Sequence, residues 1–189
     1  AIIGMAGRFP KAPDIDTFWT NLIEGRDCVR DIPAERWPID DYYDPDRRVA
    51  GKTVCRRMGA LDDIDKFDPL FFGISPAEAE LMDPAQRLFL ETAWTAIEDS
   101  ATRPESLAGR KCGVFAGCEP GDYRAHANGG PHDAYALTGA SVAMLPARVA
   151  YALDLQGPCL SIDTACSASL VAIANACDSL VSGASDVAL

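Results

Sequence analysis

The chain has 189 residues, 48% hydrophobic and 24% charged, which is enough for one folded domain with an apolar core. Its formal net charge of −11 argues against nucleic acid or an anionic membrane as a partner. The sequence contains no apolar run that approaches the length needed to cross a membrane.

The cysteines indicate a reducing compartment. There are seven, an odd number without regular spacing, and no secretory signal precedes them, so we expect free thiols and a cytoplasmic location. The absence of a Cys-x-x-Cys pair, and the spacing of His126 and His132, argue against a structural zinc.

Strand and helix patterns alternate along the chain, which predicts an α/β fold with a largely parallel sheet. Residues 1–6 are predicted to form the first strand. Asp14 is predicted to cap a helix that Gly25 ends. Five apolar side chains share one face of that helix: Ile15, Phe18, Trp19, Leu22 and Ile23.

The middle of the chain combines an irregular stretch with a long helix. Residues 26–66 are rich in Pro, Asp and Arg, and we expect a surface excursion held by salt bridges rather than a partner-docking patch. Asp83 and Pro84 then predict a helix start with a capping residue and a first-turn proline, running to about Asp99. Trp94 and Ile97 are expected to face the core.

The last third predicts two strands and two helices. Residues 111–117 and 157–162 read as buried strands. Ser141 is predicted to cap a helix between them, with Pro146 tolerated in an early turn. The apolar positions of that helix are Val142, Leu145, Val149 and Leu153.

The final helix follows the second of these strands. Its first half is apolar or small on every side, which predicts burial between two layers. Asp186 to Leu189 then reads as the beginning of another strand.

Cys166 lies where the 157–162 strand is predicted to turn into the final helix, within Asp-Thr-Ala-Cys-Ser-Ala-Ser (163–169). N–H groups at a helix start favour a thiolate, the nucleophilic form, so the position suggests covalent catalysis. The alternative is that Cys166 is a small core residue, as free cysteines usually are and as we expect for Cys159 and Cys177. From Val149 onward the chain has no Lys, Arg or His, so a base would have to come from elsewhere in the fold.

The 163–169 segment resembles the active-site motif of β-ketoacyl synthases, in the form used by modular polyketide synthases. Other blocks resemble the family in the same order, and one departure is Ala85, where a second glutamine is more usual. These blocks are 2–10, 67–76, 82–87 and 137–151.

The resemblance implies a layered αβαβα, thiolase-like fold, of which residues 1–189 would be the N-terminal half of a ketosynthase domain. The family's two catalytic histidines and its lysine lie in motifs of the C-terminal half, which this chain lacks. His126 and His132 match neither motif, and no catalytic role is assigned to them. The chain opens without an initiator Met and stops at a strand pattern, so both ends read as cut.

The resemblance also implies a mechanism. Cys166 would accept an acyl group from a carrier-protein thioester, and decarboxylation of malonyl-carrier protein would supply the carbanion that extends it. The Cys166 backbone N–H would form half of an oxyanion hole. No cofactor would bind directly, because phosphopantetheine is carried by the acyl carrier protein. Further expected partners are a second copy in a homodimer and adjacent polyketide synthase domains.

Two alternatives remain open. A non-elongating ketosynthase that binds and passes on acyl chains would keep Cys166 but lack a working histidine, and a fatty-acid synthase ketosynthase is a lesser rival. A decarboxylating partner subunit is disfavoured because such relatives typically carry glutamine at the position of Cys166.

Several other residues are expected to have structural roles. Asp163 is expected to anchor the turn, and Gly139 to permit close packing. Thr164, Ser167 and Ser169 are expected to be small because the turn is tight.

Overall fold

A computed structural model of the chain describes residues 1–123 and 134–189. The described chain divides into two compact units. The smaller is Ala6–Asp63, and the larger comprises Ile64–Leu189 together with Ala1–Met5. The sequence around His126 and His132 lies outside the described residues.

The smaller unit contains helix α1, Ile15–Ile23, and a short antiparallel pair of strands, β1 (Arg30–Asp31) and β2 (Arg57–Met58). As predicted, the Asp14 carboxylate caps α1 by accepting from the Thr17 N–H at 2.7 Å. Of its five apolar residues, Ile15 and Phe18 are half-buried, whereas the others are exposed in the described structure: Trp19, Leu22 and Ile23.

Ion pairs hold the long irregular part of this unit, which confirms the predicted salt-bridged excursion. Its elements are β1, a 3-10 turn at Ile39–Asp41 and β2. Three pairs join distant parts of the segment: Arg30 with Asp62, Arg56 with Asp40, and Arg57 with Asp27. Arg57 contacts Asp27 at 2.9 Å and also donates to the Val29 carbonyl, so it ties β2 back to the loop before β1.

The larger unit is built on a parallel three-stranded sheet with the order β4-β3-β5. These strands are β3 (Cys112–Gly117), β4 (Cys159–Ile162) and β5 (Val187–Ala188). Its helices are α2 (Pro76–Leu81), α3 (Pro84–Asp99), α4 (Ala134–Ala140), α5 (Met144–Ala152) and α6 (Ala168–Val181). The described residues of this unit also form 3-10 turns at Pro104–Leu107 and Ala165–Ser167.

The core lies between β3 and helices α3 and α5. Met82, Val114 and Val149 have no exposed surface, and Ile97 is buried beside them. Trp94 packs partly buried against this cluster. The predicted helix from Asp83 to Asp99 is confirmed, because the Asp83 carboxylate accepts from the Ala85 N–H at 2.8 Å and Pro84 occupies the first position.

The prediction that residues 1–6 form a strand is wrong for the described structure. Ile2 and Ile3 are exposed, and no described strand pairs with this segment. A strand requires a neighbour for its backbone groups, and the Met5 N–H instead donates to the Asp99 carboxylate at 2.8 Å.

The prediction that Ser141 caps the next helix is also wrong, since α5 begins at Met144. Pro146 explains the shift. A helix capped at Ser141 would place Pro146 beyond the first turn, where its missing N–H and its ring would disrupt a hydrogen bond. Starting at Met144 keeps Pro146 within the first turn, where N–H groups have no intrahelical partner. The predicted core positions Leu145, Val149 and Leu153 are nevertheless buried.

The final helix is not buried on all sides. One face of α6 packs against β3 through Ala168 and Ala172. The opposite face leaves apolar side chains exposed: Leu170, Ile173 and Val181. Cys177, predicted as core, is exposed for the same reason. Cys159, also predicted as core, is exposed as well.

Candidate active site

Cys166 is carried by a short turn between a strand and a helix. β4 ends at Ile162, the 3-10 turn Ala165–Ser167 follows, and α6 begins at Ala168. Residue Cys166 is exposed, unlike Cys112 in the core. The predicted strand, turn and helix around Cys166 are therefore present, and its side chain is not a core residue.

The turn places a non-glycine residue in a left-handed conformation. Ala165, immediately before Cys166, has a φ of 52°, which disfavours a residue with a Cβ. Such a conformation persists only where surrounding interactions impose it. The strained residue is adjacent to the candidate nucleophile, where it sets the direction in which the Cys166 side chain leaves the backbone.

Side chains of the same segment impose this conformation. The Asp163 carboxylate accepts from the Ala165 N–H at 3.2 Å. The Ser167 hydroxyl donates to the Thr164 carbonyl at 2.8 Å and contacts the Thr164 hydroxyl oxygen at 2.9 Å. The prediction that Asp163 anchors the turn is confirmed, and Thr164 and Ser167 contribute hydrogen bonds as well as small size.

The Cys166 N–H is not used by the backbone hydrogen bonds of the turn. Those bonds run from the Ser167 N–H to the Thr164 carbonyl, at 3.3 Å, and from the Ala168 N–H to the Ala165 carbonyl. The Cys166 N–H thus belongs to the first turn of a helical segment, where N–H groups lack intrahelical acceptors. A negatively charged oxygen on a carbon bonded to the Cys166 sulfur would find a donor there.

Gly117 determines how closely the turn approaches the sheet. A Cβ atom at this position would lie 2.7 Å from both the Ala168 carbonyl carbon and the Ser169 nitrogen. β3 can therefore end directly against the start of α6 only because residue 117 has no side chain. This role was not predicted from the sequence, in which the only signal is a glycine at the end of a buried strand.

Burial disfavours the thiolate form of two other cysteines. Cys118 follows β3, and its N–H donates to the Ile162 carbonyl at 3.0 Å. Burial raises the pKa of the Cys118 thiol, and the Asp163 carboxylate raises it further, against a hydrogen bond with Ser161 that lowers it. Burial likewise raises the pKa of the Cys112 thiol to about 11. Both shifts disfavour the thiolate.

The segment that carries Cys166, residues 149–189, contains no histidine, lysine or arginine. From Val149 to Leu189 the acidic residues are the only charged ones, and His126 and His132 lie outside the described residues.

No helix in the described parts of the chain is long and apolar enough to cross a membrane.

Comparison with known proteins places this chain in a family. The family model for the β-ketoacyl synthase N-terminal domain matches residues 1–189. The chain belongs to the β-ketoacyl synthase family. Polyketide synthase ThaG of Burkholderia thailandensis is 47% identical over 194 residues, covering 100% of this chain and 3% of that protein. Polyketide synthase PksL of Bacillus subtilis is 46% identical over 189 residues, covering 100% of this chain and 4% of that protein.

Solved ketosynthase structures share the fold. The oxazolomycin ketosynthase domain OzmH KS7 of Streptomyces albus matches 99% of this chain with a TM-score of 0.89 and 42% identity. A ketosynthase from module 6 of the bacillaene synthase of Bacillus subtilis matches 100% of the chain with a TM-score of 0.87 and 43% identity. These matches confirm the predicted α/β, thiolase-like fold. This chain spans 32% and 31% of the two solved chains.

Proposed function

We propose that this chain supplies the nucleophile-bearing part of a ketosynthase that elongates polyketide chains, with Cys166 as its nucleophile. The observation that carries the proposal is the geometry of the turn at Cys166. The thiol is exposed on a strained strand-to-helix turn, beside an N–H that the turn itself does not use. This arrangement suits an acyl-transfer nucleophile combined with an oxyanion donor.

The first half-reaction would transfer an acyl group to Cys166. The thiolate attacks the carbonyl carbon of an acyl thioester on the phosphopantetheine of an acyl carrier protein, giving a tetrahedral oxyanion held by the Cys166 N–H. Collapse forms the acyl-Cys166 thioester, and the carrier-protein thiolate leaves and takes up a proton. The site needs no cofactor of its own for this exchange of one thioester for another.

The second half-reaction would lengthen the chain by two carbons. Malonyl-carrier protein loses carbon dioxide, and the electron pair of the broken carbon–carbon bond becomes the carbanion. That carbanion attacks the acyl-Cys166 carbonyl, the carbon–sulfur bond breaks, and the Cys166 thiolate is regenerated. Residues 149–189 contain no Lys, Arg or His that could bind the malonyl thioester during decarboxylation, so we assign that work to another part of the domain and expect this chain alone to be inactive.

The partners follow from the same proposal. The acyl carrier protein delivers both thioesters, and adjacent polyketide synthase domains share the chain in a cytoplasmic protein. The names of the relatives favour a polyketide synthase ketosynthase over a fatty-acid synthase ketosynthase, because ThaG and PksL are polyketide synthases. A non-elongating ketosynthase would use the same acyl-Cys166 intermediate and differ only in the second half-reaction.

We also propose a homodimer that forms through β4. Among the described strands, β4 lies at the edge of the sheet, with β3 as its one neighbour. The carbonyls of Pro158 and Ile162 accept hydrogen bonds from β3 and from Cys118 just after it. Because backbone groups of alternate residues face opposite sides of a strand, those of Cys159 and Ser161 are directed to the open edge. An open edge is a template for pairing with another strand.

Acyl loading of the complete ketosynthase domain tests the proposed nucleophile. We expect Cys166→Ala to abolish the mass increase that an acyl thioester donor gives, with the circular dichroism spectrum unchanged. Cys55→Ala is the matched control, because Cys55 is an exposed cysteine in the irregular segment before β2, and it should load normally. An acyl adduct on the Cys166→Ala protein would show that the nucleophile is a different residue.

A further inference from the structure

Gln86 is a buried polar residue at the third position of α3. Its side-chain nitrogen lies close to three backbone carbonyl oxygens, those of Thr138 at 3.1 Å, Gly139 at 2.9 Å and Ser141 at 3.0 Å. These carbonyls lie at the end of α4 and just beyond it, where a helix leaves its carbonyls without intrahelical partners. Gln86 therefore caps α4 from a different helix.

An ion pair fixes the orientation of the Gln86 amide. The Gln86 side-chain oxygen accepts from Arg148 Nε at 2.8 Å, and Arg148 Nη1 pairs with the Glu78 carboxylate at 2.6 Å. Arginine can only donate, so the amide oxygen must face Arg148 and the amide nitrogen must face the carbonyls. The Arg148 side chain is only 7% exposed, and the loss of an acceptor there would leave a buried donor unsatisfied.

The α4–α5 joint, residues 138–143, is held by a further backbone hydrogen bond and by close packing. The Gly139 carbonyl also accepts from the Asp83 N–H at 3.0 Å. A Cβ atom at Gly139 would lie 1.9 Å from the Leu81 carbonyl oxygen. This contact confirms that Gly139 permits close packing, as predicted. The position of the joint is thus set by the end of α2 and the start of α3, with little room for adjustment.

The same joint is hydrogen-bonded to β4, the strand that leads into the turn Ala165–Ser167. The carbonyl of Val142, between α4 and α5, accepts a hydrogen bond at 2.6 Å from the Ser161 hydroxyl of β4. Ser161 is two residues before Asp163, whose carboxylate holds the Ala165 N–H of the turn. A continuous path of short contacts and a few covalent bonds therefore runs from Gln86 to the backbone beside Cys166.

We infer that Gln86 is a positioning residue for Cys166, acting through the α4–α5 joint and Ser161. Gln86 does not touch the substrate in this assignment. It fixes the carbonyls of the joint, the joint fixes β4 through Ser161, and β4 fixes the start of the turn. The inference rests on the proposed role of Cys166, which the Cys166→Ala experiment tests separately.

The test is a double-mutant cycle in the complete ketosynthase domain. Gln86→Met keeps the length of the side chain and removes its hydrogen bonds, and Ser161→Ala removes the bond to Val142. Displacement of a reacting group by a fraction of an ångström is costly, so we expect each variant to slow acylation of Cys166 at saturating thioester by about tenfold. The half-saturating thioester concentration should not change. The double variant should be no slower than Gln86→Met, because both residues act along one path.

Alkylation of Cys166 by iodoacetamide, followed by peptide mass, gives a second readout that does not depend on the acyl-transfer reaction. The rate of alkylation should fall in the same order across the variants as the rate of acylation. It can be measured even if the unsubstituted domain is not acylated. Gln156→Met is the matched control, since the Gln156 side chain bonds to the exposed Asp154 carboxylate at 2.8 Å. This control should leave both rates unchanged.

Two results would overturn the inference. One is a double variant slowed by the product of the two single effects, which would mean independent action. The other is a Gln86→Met protein that loses thermal stability but keeps both Cys166 rates, which would make Gln86 purely structural. If Gln86→Met does not fold, Gln86→Asn takes its place in the cycle, because its shorter amide keeps the polar atoms but cannot reach both partners.

Discussion

Gly117 allows the sheet to lie directly against the turn that carries Cys166, because it has no Cβ atom. The missing Cβ lets the end of β3 lie against the backbone of Ala168 and Ser169. The same turn holds Ala165 in a left-handed conformation. The direction of the Cys166 side chain thus depends on one residue that lacks a side chain and another that tolerates strain.

Gly117→Ala should therefore impair the reactivity of Cys166 as well as the stability of the fold. The added methyl group must push the start of α6 away, at a cost of about 1–3 kcal/mol in the free energy of unfolding. We expect alkylation of Cys166 in the folded domain to slow by at least about tenfold. The rate constant for iodoacetamide at Cys166 measures this effect.

Gly183→Ala is the control for Gly117→Ala. Gly183 follows α6 at its other end and has a φ of 74°, and no atom lies within 4 Å of the position that an added methyl group would occupy. Its substitution should cost about 1 kcal/mol through backbone strain alone, without slowing alkylation of Cys166. Equal slowing in both variants would show that global stability, not local geometry, controls the thiol.

The buried thiol of Cys112 gives a pH dependence whose sign can be worked out. Burial raises its pKa from the ordinary 9.0 to about 11, while Arg110 lowers it slightly. The unfolded chain therefore loses this proton at a lower pH than the folded chain. The stability linked to Cys112 is fully present below pH 9 and is lost as the pH rises toward about 11.

Cys112→Ala isolates that contribution. The difference in free energy of unfolding between the original domain and this variant should be constant up to about pH 8.5 and then shrink toward about pH 11. Urea denaturation at a series of pH values measures it. A difference that stays constant through this range would mean that Cys112 titrates normally in the folded protein.

The site could be predicted from sequence only where the chemistry is local. Cys166 and Asp163 lie within one short segment, so the turn and its anchor could be recognised together. Gln86 and Gly117 could not be connected with Cys166, because they reach it through contacts between residues far apart in the sequence. Ala165 carries no signal at all, since its φ of 52° follows from the surrounding bonds rather than from an intrinsic preference of alanine.

At the scale of elements, the errors come from partners that a sequence pattern does not reveal. Residues 1–6 have the composition of a strand but no described strand beside them. Ser141 predicts the wrong boundary for α5 because Pro146, whose ring sets where the first turn can begin, outweighs a capping serine. The strands β3 and β4 and helix α3 were predictable because their apolar patterns and breakers agree.

The open edge of β4 leads to a prediction about the proposed homodimer. The backbone of Cys159 is directed away from β3, so Cys159→Pro removes an edge N–H without removing a bond to β3. We expect the dimer dissociation constant to rise at least about tenfold, as measured by sedimentation equilibrium. Cys159→Ala keeps the N–H and should remain dimeric. A Cys159→Pro protein that dimerises normally would exclude β4 pairing as the interface.

At the scale of the whole molecule, the apolar pattern of α6 and its surroundings disagree. The sequence predicts burial on every side, whereas Leu170 is 73% exposed, Ile173 60% and Val181 89% in the described structure. The chain spans about a third of the solved ketosynthase chains that it matches. We therefore expect that the outer face of α6 is covered in the complete domain and that the 189-residue chain alone folds poorly, since water would contact this face.

Lysine substitutions on that face should have opposite effects in the two contexts. Combining Leu170→Lys, Ile173→Lys and Val181→Lys removes exposed apolar surface from the isolated chain, so we expect more soluble monomer and weaker binding of a hydrophobic dye. In the complete domain the same lysines would be forced into an apolar interface, at a cost of several kcal/mol in the free energy of unfolding. Asp178→Lys, on the polar side of the helix, is the control and should change neither protein greatly. Cooperative unfolding of the unsubstituted 189-residue chain as a soluble monomer would contradict this view, because α6 would then need no further cover.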